Sequence, residues 1–402
     1  MHTTASLPKI VTGVQSNACK HVKKEDFTMK KFAIAKLTAA AIALAAASVQ
    51  AQNANVTLYG LIDATIRSID NQDAKGGKIV GFQTPWFSGS RWGFVGAEDL
   101  GDGLKAIFRL ESEFVLGNGA LDTAGFLFIR DAWVGLDSPV FGKLTFGRQN
   151  ALGRDIAANY LDPYGSAESS LNEGGGTNTN GFKQLIFYGG SATGTRYDNG
   201  VVLKKAFGPL IAGISHQFGE VANDSSRNTT QTVALGFNGG VANVSGFVTQ
   251  ANVAGLKHRS SSIGGNVNFG IARVNAGYFH YTADQPIAVG QRTDDAWTVS
   301  TKLSPDGPFD YQLGYQEMKT KNGGYNAAGS NTLNAFASTA AVTKTGSGTK
   351  KTVYASAFYH LSKRTELYVA ADRMNITNGY KVSGANGFAN QTEFGVGFRT
   401  RF

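Results

Sequence analysis

Cysteine is almost absent from this chain, since its 402 residues include a single one, Cys19. That residue lies in a segment we expect to be removed, so the remaining chain needs no disulfide and has no thiol chemistry. No Pro/Ser-rich linker divides the sequence, and no apolar run beyond residue 51 is long enough for a membrane-spanning helix. These absences exclude a disulfide-stapled domain and a helical membrane protein.

Residues that would support catalysis or metal binding are also few. Beyond residue 51 none of the histidines lies in a nucleophile-elbow motif. The glycines at 174–176 lack the strand–helix context of a phosphate-binding loop, and no Cys/His spacing suits a metal ion. We therefore expect no enzyme, no cofactor and no metal site. The histidines in question are His216, His258, His280 and His360, of which His258 is expected in a loop.

An export signal is predicted near the N-terminus. Residues 29–51 combine a basic start, an alanine-rich apolar run and small residues before the chain turns polar. This pattern is typical of a secretory signal peptide cleaved after Ala51, and it fits less well the alternative of a transmembrane helix, because the run is short. Residues 1–28 are interpreted as an extension before the true start, and residues 52–402 as the exported domain.

The charge of the exported segment is nearly balanced. Residues 1–51 hold seven Lys+Arg and two Asp+Glu, which leaves 38 − 7 = 31 basic and 29 − 2 = 27 acidic residues, a net charge of +4. The basic balance of the whole chain is thus partly due to the removed segment. We do not expect an exported protein of this charge to bind nucleic acid.

The exported segment is dominated by alternation. At the C-terminus Phe394, Val396, Phe398 and Phe402 share one parity, and residues of the other parity are glycine or charged. Successive side chains of a strand point to opposite faces, so this is a strand with one apolar face. Ending on such a strand is typical of a membrane β-barrel, whose last strand pairs with the first.

Sixteen segments repeat this pattern, and short connections alternate strictly with long ones. An even number of strands with that arrangement predicts an all-β fold, a 16-stranded antiparallel transmembrane β-barrel with short periplasmic turns, long outer loops and an aqueous lumen. The alternative is a soluble sandwich with aromatic residues in its core. The segments are 56–68, 90–99, 103–114, 125–137, 141–149, 196–206, 209–219, 230–238, 241–251, 259–269, 271–283, 293–304, 308–319, 350–362, 364–375 and 390–402.

Several motifs resemble those of Gram-negative general porins of the β-proteobacterial and neisserial type. They are VTLYG at 56–60, SRWGFVG at 90–96, EDLGDGLKA at 98–106, FGRQ at 146–149, RYD at 196–198 and the terminal Phe402. The resemblance implies a homotrimeric outer-membrane channel, bounded by outer-membrane lipid, for small hydrophilic solutes and ions. It also implies an inward-folded third loop, and a terminal aromatic that the barrel-assembly machinery reads.

Four arginines are candidates for a cationic pore wall: Arg91, Arg109, Arg130 and Arg196. The first three lie within predicted strands, and the fourth opens the strand after the longest loop. An arginine facing lipid at mid-membrane costs roughly 2–4 kcal/mol, so these side chains are expected in the lumen. The alternative is that they are solvated charges at strand ends. Weaker candidates are Arg67, Lys105 and Arg148.

The connection 150–195 is too long for an ordinary connector. By resemblance it is a constriction loop, and its acids would face the arginines and create a transverse field. The candidate acids are Asp155, Asp162, Glu168 and Glu173, with Asp162 the first choice and Glu111, inward on its own strand, a further candidate. Arginines outnumber acids on the first strands, which suggests mild anion preference. The alternatives are a mobile acidic surface loop and, for the whole chain, a structural or adhesive barrel that conducts poorly.

Overall fold

A computed structural model describes residues 55–83, 85–156, 176–179, 195–285, 290–325, 344–380 and 385–402. Seventeen antiparallel strands form one sheet that closes on itself, because β1 pairs with both β17 and β3. The strands are β1 Asn55–Ile69, β2 Ile79–Gln83, β3 Arg91–Gly101, β4 Leu104–Glu113, β5 Asp131–Ser138, β6 Gly142–Asn150, β7 Arg196–Phe207, β8 Leu210–Gln217, β9 Thr230–Asn238, β10 Ala242–Val253, β11 Leu256–Asn268, β12 Ala272–Ala283, β13 Arg292–Leu303, β14 Phe309–Tyr325, β15 Lys344–His360, β16 Thr365–Thr377 and β17 Asn390–Arg401. A short helix, α1, spans Leu152–Ile156.

The ring has sixteen positions, because β2 and β3 are two parts of one interrupted strand. β3 pairs with the first half of β1, from Asn55 to Leu61, and β2 pairs with its second half, from Thr65 to Ile69. Between β2 and β3 the chain turns into the barrel, where Trp86 is almost completely buried. The predicted 16-stranded barrel is confirmed, and the interruption of its second strand is new.

Alternation decides which side chains face lipid. On β17, Phe394, Val396 and Phe398 are 41–50% exposed, whereas Glu393 and Arg399 are at most 3% exposed. In a barrel whose outside is hydrocarbon, the apolar face points outward and the polar face lines the lumen. Among the described residues, no helix has the length and apolar character needed to cross a membrane.

A predicted strand boundary and the predicted pattern of connection lengths were wrong. The segment predicted from residue 125 begins as a strand only at Asp131, because the preceding residues form the second outer connection. Connections also do not alternate strictly, since β10 and β11 are joined on the outer side by Ala254 and Gly255 alone. Both residues have positive φ, 53° and 93°, which produces the tight hairpin turn that fits twisted strands.

Candidate functional site

The four candidate arginines all lie on the wall formed by β3 to β7. Arg91 opens β3, Arg109 is within β4 and Arg196 opens β7. Arg130 directly precedes β5, so the prediction that it is a mid-strand residue was wrong. It is 8% exposed, and carboxylates rather than strand parity hold it in place.

A network of ion pairs joins these arginines to acids of the same wall. The Arg130 guanidinium pairs with Glu111 and, at 2.5 Å, with Oε2 of Glu113. Arg109 lies 3.5 Å from Glu111 and 3.7 Å from Asp131. The Tyr59 hydroxyl donates to Glu111 Oε2 at 2.7 Å. Glu111, which was considered for the constriction, is thus committed to Arg109 and Arg130.

The cluster has an excess of positive charge. Arg91, Arg130 and Arg196 interact electrostatically with one another and with the acids. Arg154 of α1 joins them: burial, followed by repulsion from Arg196, Arg130 and Arg91, holds the pKa of its guanidinium well below the usual range. With Arg109 there are five arginines against Glu111, Glu113, Asp131 and the more exposed Asp122, a net charge of 5 − 4 = +1.

Of the predicted loop acids, only Asp155 is within the described residues. It lies in α1 and pairs with Lys204 of β7, so this carboxylate is held on the same wall as the arginines. Leu152, also in α1, is fully buried, and its backbone N–H donates to the Tyr197 hydroxyl at 3.1 Å. Asp162, Glu168 and Glu173 lie outside the described residues.

A second part of the same loop, residues 176–179, is attached to a different wall. The backbone N–H of Asn178 donates to Glu393 Oε1 at 2.9 Å, and its side-chain amide donates to Asp372 Oδ1 at 2.8 Å. Gln316 donates to the Thr179 carbonyl at 3.0 Å. α1 contacts β8 to β10, whereas these partners lie on β14, β16 and β17, about half-way around the ring. The two described parts of the loop are therefore fixed to different walls inside the barrel.

Sequence reasoning missed the inward segment between β2 and β3. The backbone N–H groups of Phe87 and Ser88 donate to Asp63 Oδ2 at 3.1 and 2.8 Å. The Phe87 ring packs 4.8 Å from that of Tyr368, and the Arg399 guanidinium lies 5.6 Å from the Phe87 ring. The only signal available was a mid-strand Asp63 on an inward position, which needs a buried partner.

Two further residues differ from expectation. Arg148 shares parity with Phe146, which is 44% exposed, and therefore lies on the outward side at the outer end of β6. There it pairs with Asp198 and donates to the Ile129 carbonyl, so its charge does not meet lipid unpaired. His258 is not in a loop: it lies within β11, buried, with Nδ1 2.6 Å from the Tyr281 hydroxyl. In the described ranges no three His, Cys, Asp or Glu side chains are grouped as a metal site requires.

The attachment of residues 176–179 gives a first prediction. Asn178→Asp replaces the amide that donates to Asp372 with a second carboxylate, which adds repulsion, and losing a hydrogen bond to a charged group costs about 1.5–3 kcal/mol. We expect increased open-channel noise and altered conductance in single-channel recordings.

Asn386→Asp is the matched control, since its exposed amide donates only to the Asn71 carbonyl among its described contacts. Noise equal to that of the unmodified protein in the Asn178 variant would show that this contact does not fix the loop.

Comparison with known proteins agrees with this architecture. Residues 38–379 match the model of a family described as Gram-negative porin. An outer membrane porin protein of Bordetella pertussis is 31% identical, covering 91% of this chain and 99% of that protein. The major outer membrane protein P.IB of Neisseria meningitidis serogroup B is 28% identical, covering 71% of this chain and 78% of its own length.

Solved structures share the fold. An anion-selective porin from Comamonas acidovorans superposes with a TM-score of 0.67 at 23% identity, covering 87% of this chain and all of the other. OmpT of Vibrio cholerae, described in a trimer form, gives a TM-score of 0.59 at 15% identity over 87% of this chain and 99% of the other. At these identities the likeness concerns the fold alone.

Proposed function

The chain belongs to the family of Gram-negative porins, and from that premise we propose that it is an anion-preferring channel. The protein is an outer-membrane porin, a barrel through which small hydrophilic solutes and ions diffuse passively. The anion preference goes beyond what membership of the family shows. It is supported by the +1 excess of the arginine cluster on the β3 to β7 wall, because a charged ring inside low-dielectric walls attracts ions of the opposite sign.

The third loop would provide the second half of the selectivity filter. Residues 150–195 would narrow the passage, with Asp162, Glu168 and Glu173 as the acids that can oppose the arginines. Asp155 is the weakest of the four candidates for that role, because it is already paired with Lys204. The attachment of residues 176–179 to β14, β16 and β17 supports an inward course for the loop.

Assembly is a further part of the proposal. The functional unit would be a homotrimer, as a barrel relative from Vibrio cholerae is described in a trimer form. Phe402 would be the residue read by the barrel-assembly machinery. No enzymatic activity is proposed: in the part of the chain that the structure describes, the inward carboxylates Glu111, Glu366 and Asp63 are engaged in ion pairs and hydrogen bonds.

One recording tests the channel and its preference together. Purified protein is inserted into a planar bilayer with a tenfold KCl gradient, and conductance and zero-current potential are measured. We expect discrete ohmic steps and a potential of the sign that chloride permeation sets, well short of the about 59 mV limit for one fully selected monovalent ion. A zero-current potential of the sign that potassium permeation sets would overturn the anion preference but not the channel function. An insertion without conductance would favour the alternative, a structural or adhesive barrel.

A further inference from the structure

Three cations on the lipid-facing side form a cluster that the pore does not use. They are Lys319 on β14, Lys351 on β15 and Arg373 on β16, here called the outer basic cluster. Lys319 and Lys351 side chains are 62% and 50% exposed, and Arg373 is exposed as well. β14 and β16 end, and β15 begins, at the side of the long connections, which is the outer side of the membrane.

A recessed acid joins two of the three cations. Glu317 is 11% exposed and lies 3.2 Å from the Lys319 ammonium and 3.8 Å from that of Lys351. The Tyr315 hydroxyl donates to Glu317 at 2.8 Å. Asp295, opposite Lys319 in the β13–β14 ladder, is offset by the nearby Lys321, so Glu317 against the three cations leaves 3 − 1 = +2 on a surface that faces the bilayer. Such charge is stabilised at the membrane edge when anionic groups of lipids meet it.

An apolar groove lies directly toward the membrane centre from the outer basic cluster. Its volume is about 350 Å³, and outward residues of β12 to β15 line it. The Trp297 and Tyr315 rings lie 5.0 Å apart at its upper end, where amphipathic aromatics mark the membrane interface. Lining side chains include Val274, Val299, Leu313, Tyr315 and Val353.

We propose that this face binds a phosphorylated lipid of the outer leaflet, with phosphate on the outer basic cluster and an acyl chain in the groove. Lysine and arginine are the residues that bind phosphate in proteins. Cations above and apolar surface below match an amphiphile whose headgroup is anionic. A second copy of this chain would need acids that face the cluster, and the two described acids beside it are already engaged, Glu317 with the two lysines and Asp295 with Tyr278 and His280.

The test uses the full barrel in neutral detergent and native mass spectrometry, which reports bound lipid and oligomeric state together. The probes are bisphosphorylated lipid A, its dephosphorylated form and inorganic phosphate. We expect the phosphorylated lipid to bind the unmodified protein. We expect its affinity to fall on the order of 10- to 100-fold in the variant Lys319→Ala, Lys351→Ala, Arg373→Gln, because three cations at a membrane surface are lost.

The matched control removes three cations at the opposite membrane edge, Lys205→Ala, Lys363→Ala and Arg364→Gln. Leu313→Trp fills the groove and should weaken lipid binding while leaving inorganic phosphate unaffected. Equal binding of the dephosphorylated lipid would overturn the headgroup assignment, and equal loss in the control variant would overturn the location. If inorganic phosphate displaced the phosphorylated lipid completely, the lipid would not be the occupant. If the cluster variant lost its oligomeric state, the face would be an interface between protein subunits instead.

Discussion

Replacing Arg91 and Arg196 with glutamine is expected to shift the zero-current potential in a KCl gradient toward cations. The arginine cluster then changes from 5 − 4 = +1 to 3 − 4 = −1, because two guanidinium groups leave while Glu111, Glu113, Asp122 and Asp131 remain. Adding Arg130→Gln gives 2 − 4 = −2 and should strengthen the cation preference further. The shift should be a sizeable fraction of the about 59 mV available in a tenfold gradient.

The double variant and the triple variant should differ in stability as well as in selectivity. Arg130 neutralises two carboxylates, and removing one partner of a buried pair typically costs about 3–5 kcal/mol. The double variant is therefore the cleaner experiment, and the triple variant needs a check of folded yield. Lys75→Gln with Arg227→Gln is the matched control, since both are exposed cations of outer connections. An unchanged potential in the double variant would show that these arginines do not set the field.

Parity made much of the barrel predictable. The inward positions of Asp63 and Arg399 and the outward position of Phe398 follow from a period of two, which is a local property of each strand. The number of positions in the ring follows from counting such segments. The predicted lumen side of Arg91 and Arg109 has the same origin.

What escaped prediction depends on contacts between residues far apart in the sequence. Trp86 and Phe87 interrupt a strand because partners far along the chain, such as Tyr368 and Arg399, complete their burial. Arg130 lies just before β5, where the alternation of a strand no longer applies. Two carboxylates of β4, those of Glu111 and Glu113, hold it in position. Arg148, a weaker candidate for the pore wall, lies on the outward side because it shares the parity of Phe146, and its pairing with Asp198 offsets its charge there.

The barrel closes at Phe402, and its deletion is expected to have the largest effect on assembly. The backbone of Phe402 exchanges two hydrogen bonds with Gly60, N to O in both directions at 3.1 Å. Each backbone group left unpaired in hydrocarbon costs several kcal/mol. The ring of Phe402 covers Gly60 so closely that a Cβ added there would lie 2.2 Å from the ring.

Deleting Phe402, or replacing Gly60 with valine, should therefore lower the amount of heat-modifiable folded barrel in the outer membrane several-fold, as measured by gel shift after membrane fractionation. Channels that do form should conduct normally, because Phe402 is 52% exposed on the lipid side and does not line the lumen. Phe398→Leu is the matched control, since it removes an exposed aromatic of the same face without touching the closing pair. Normal yield with altered conductance in the Phe402 variant would mean that this residue shapes the pore instead of closing the sheet.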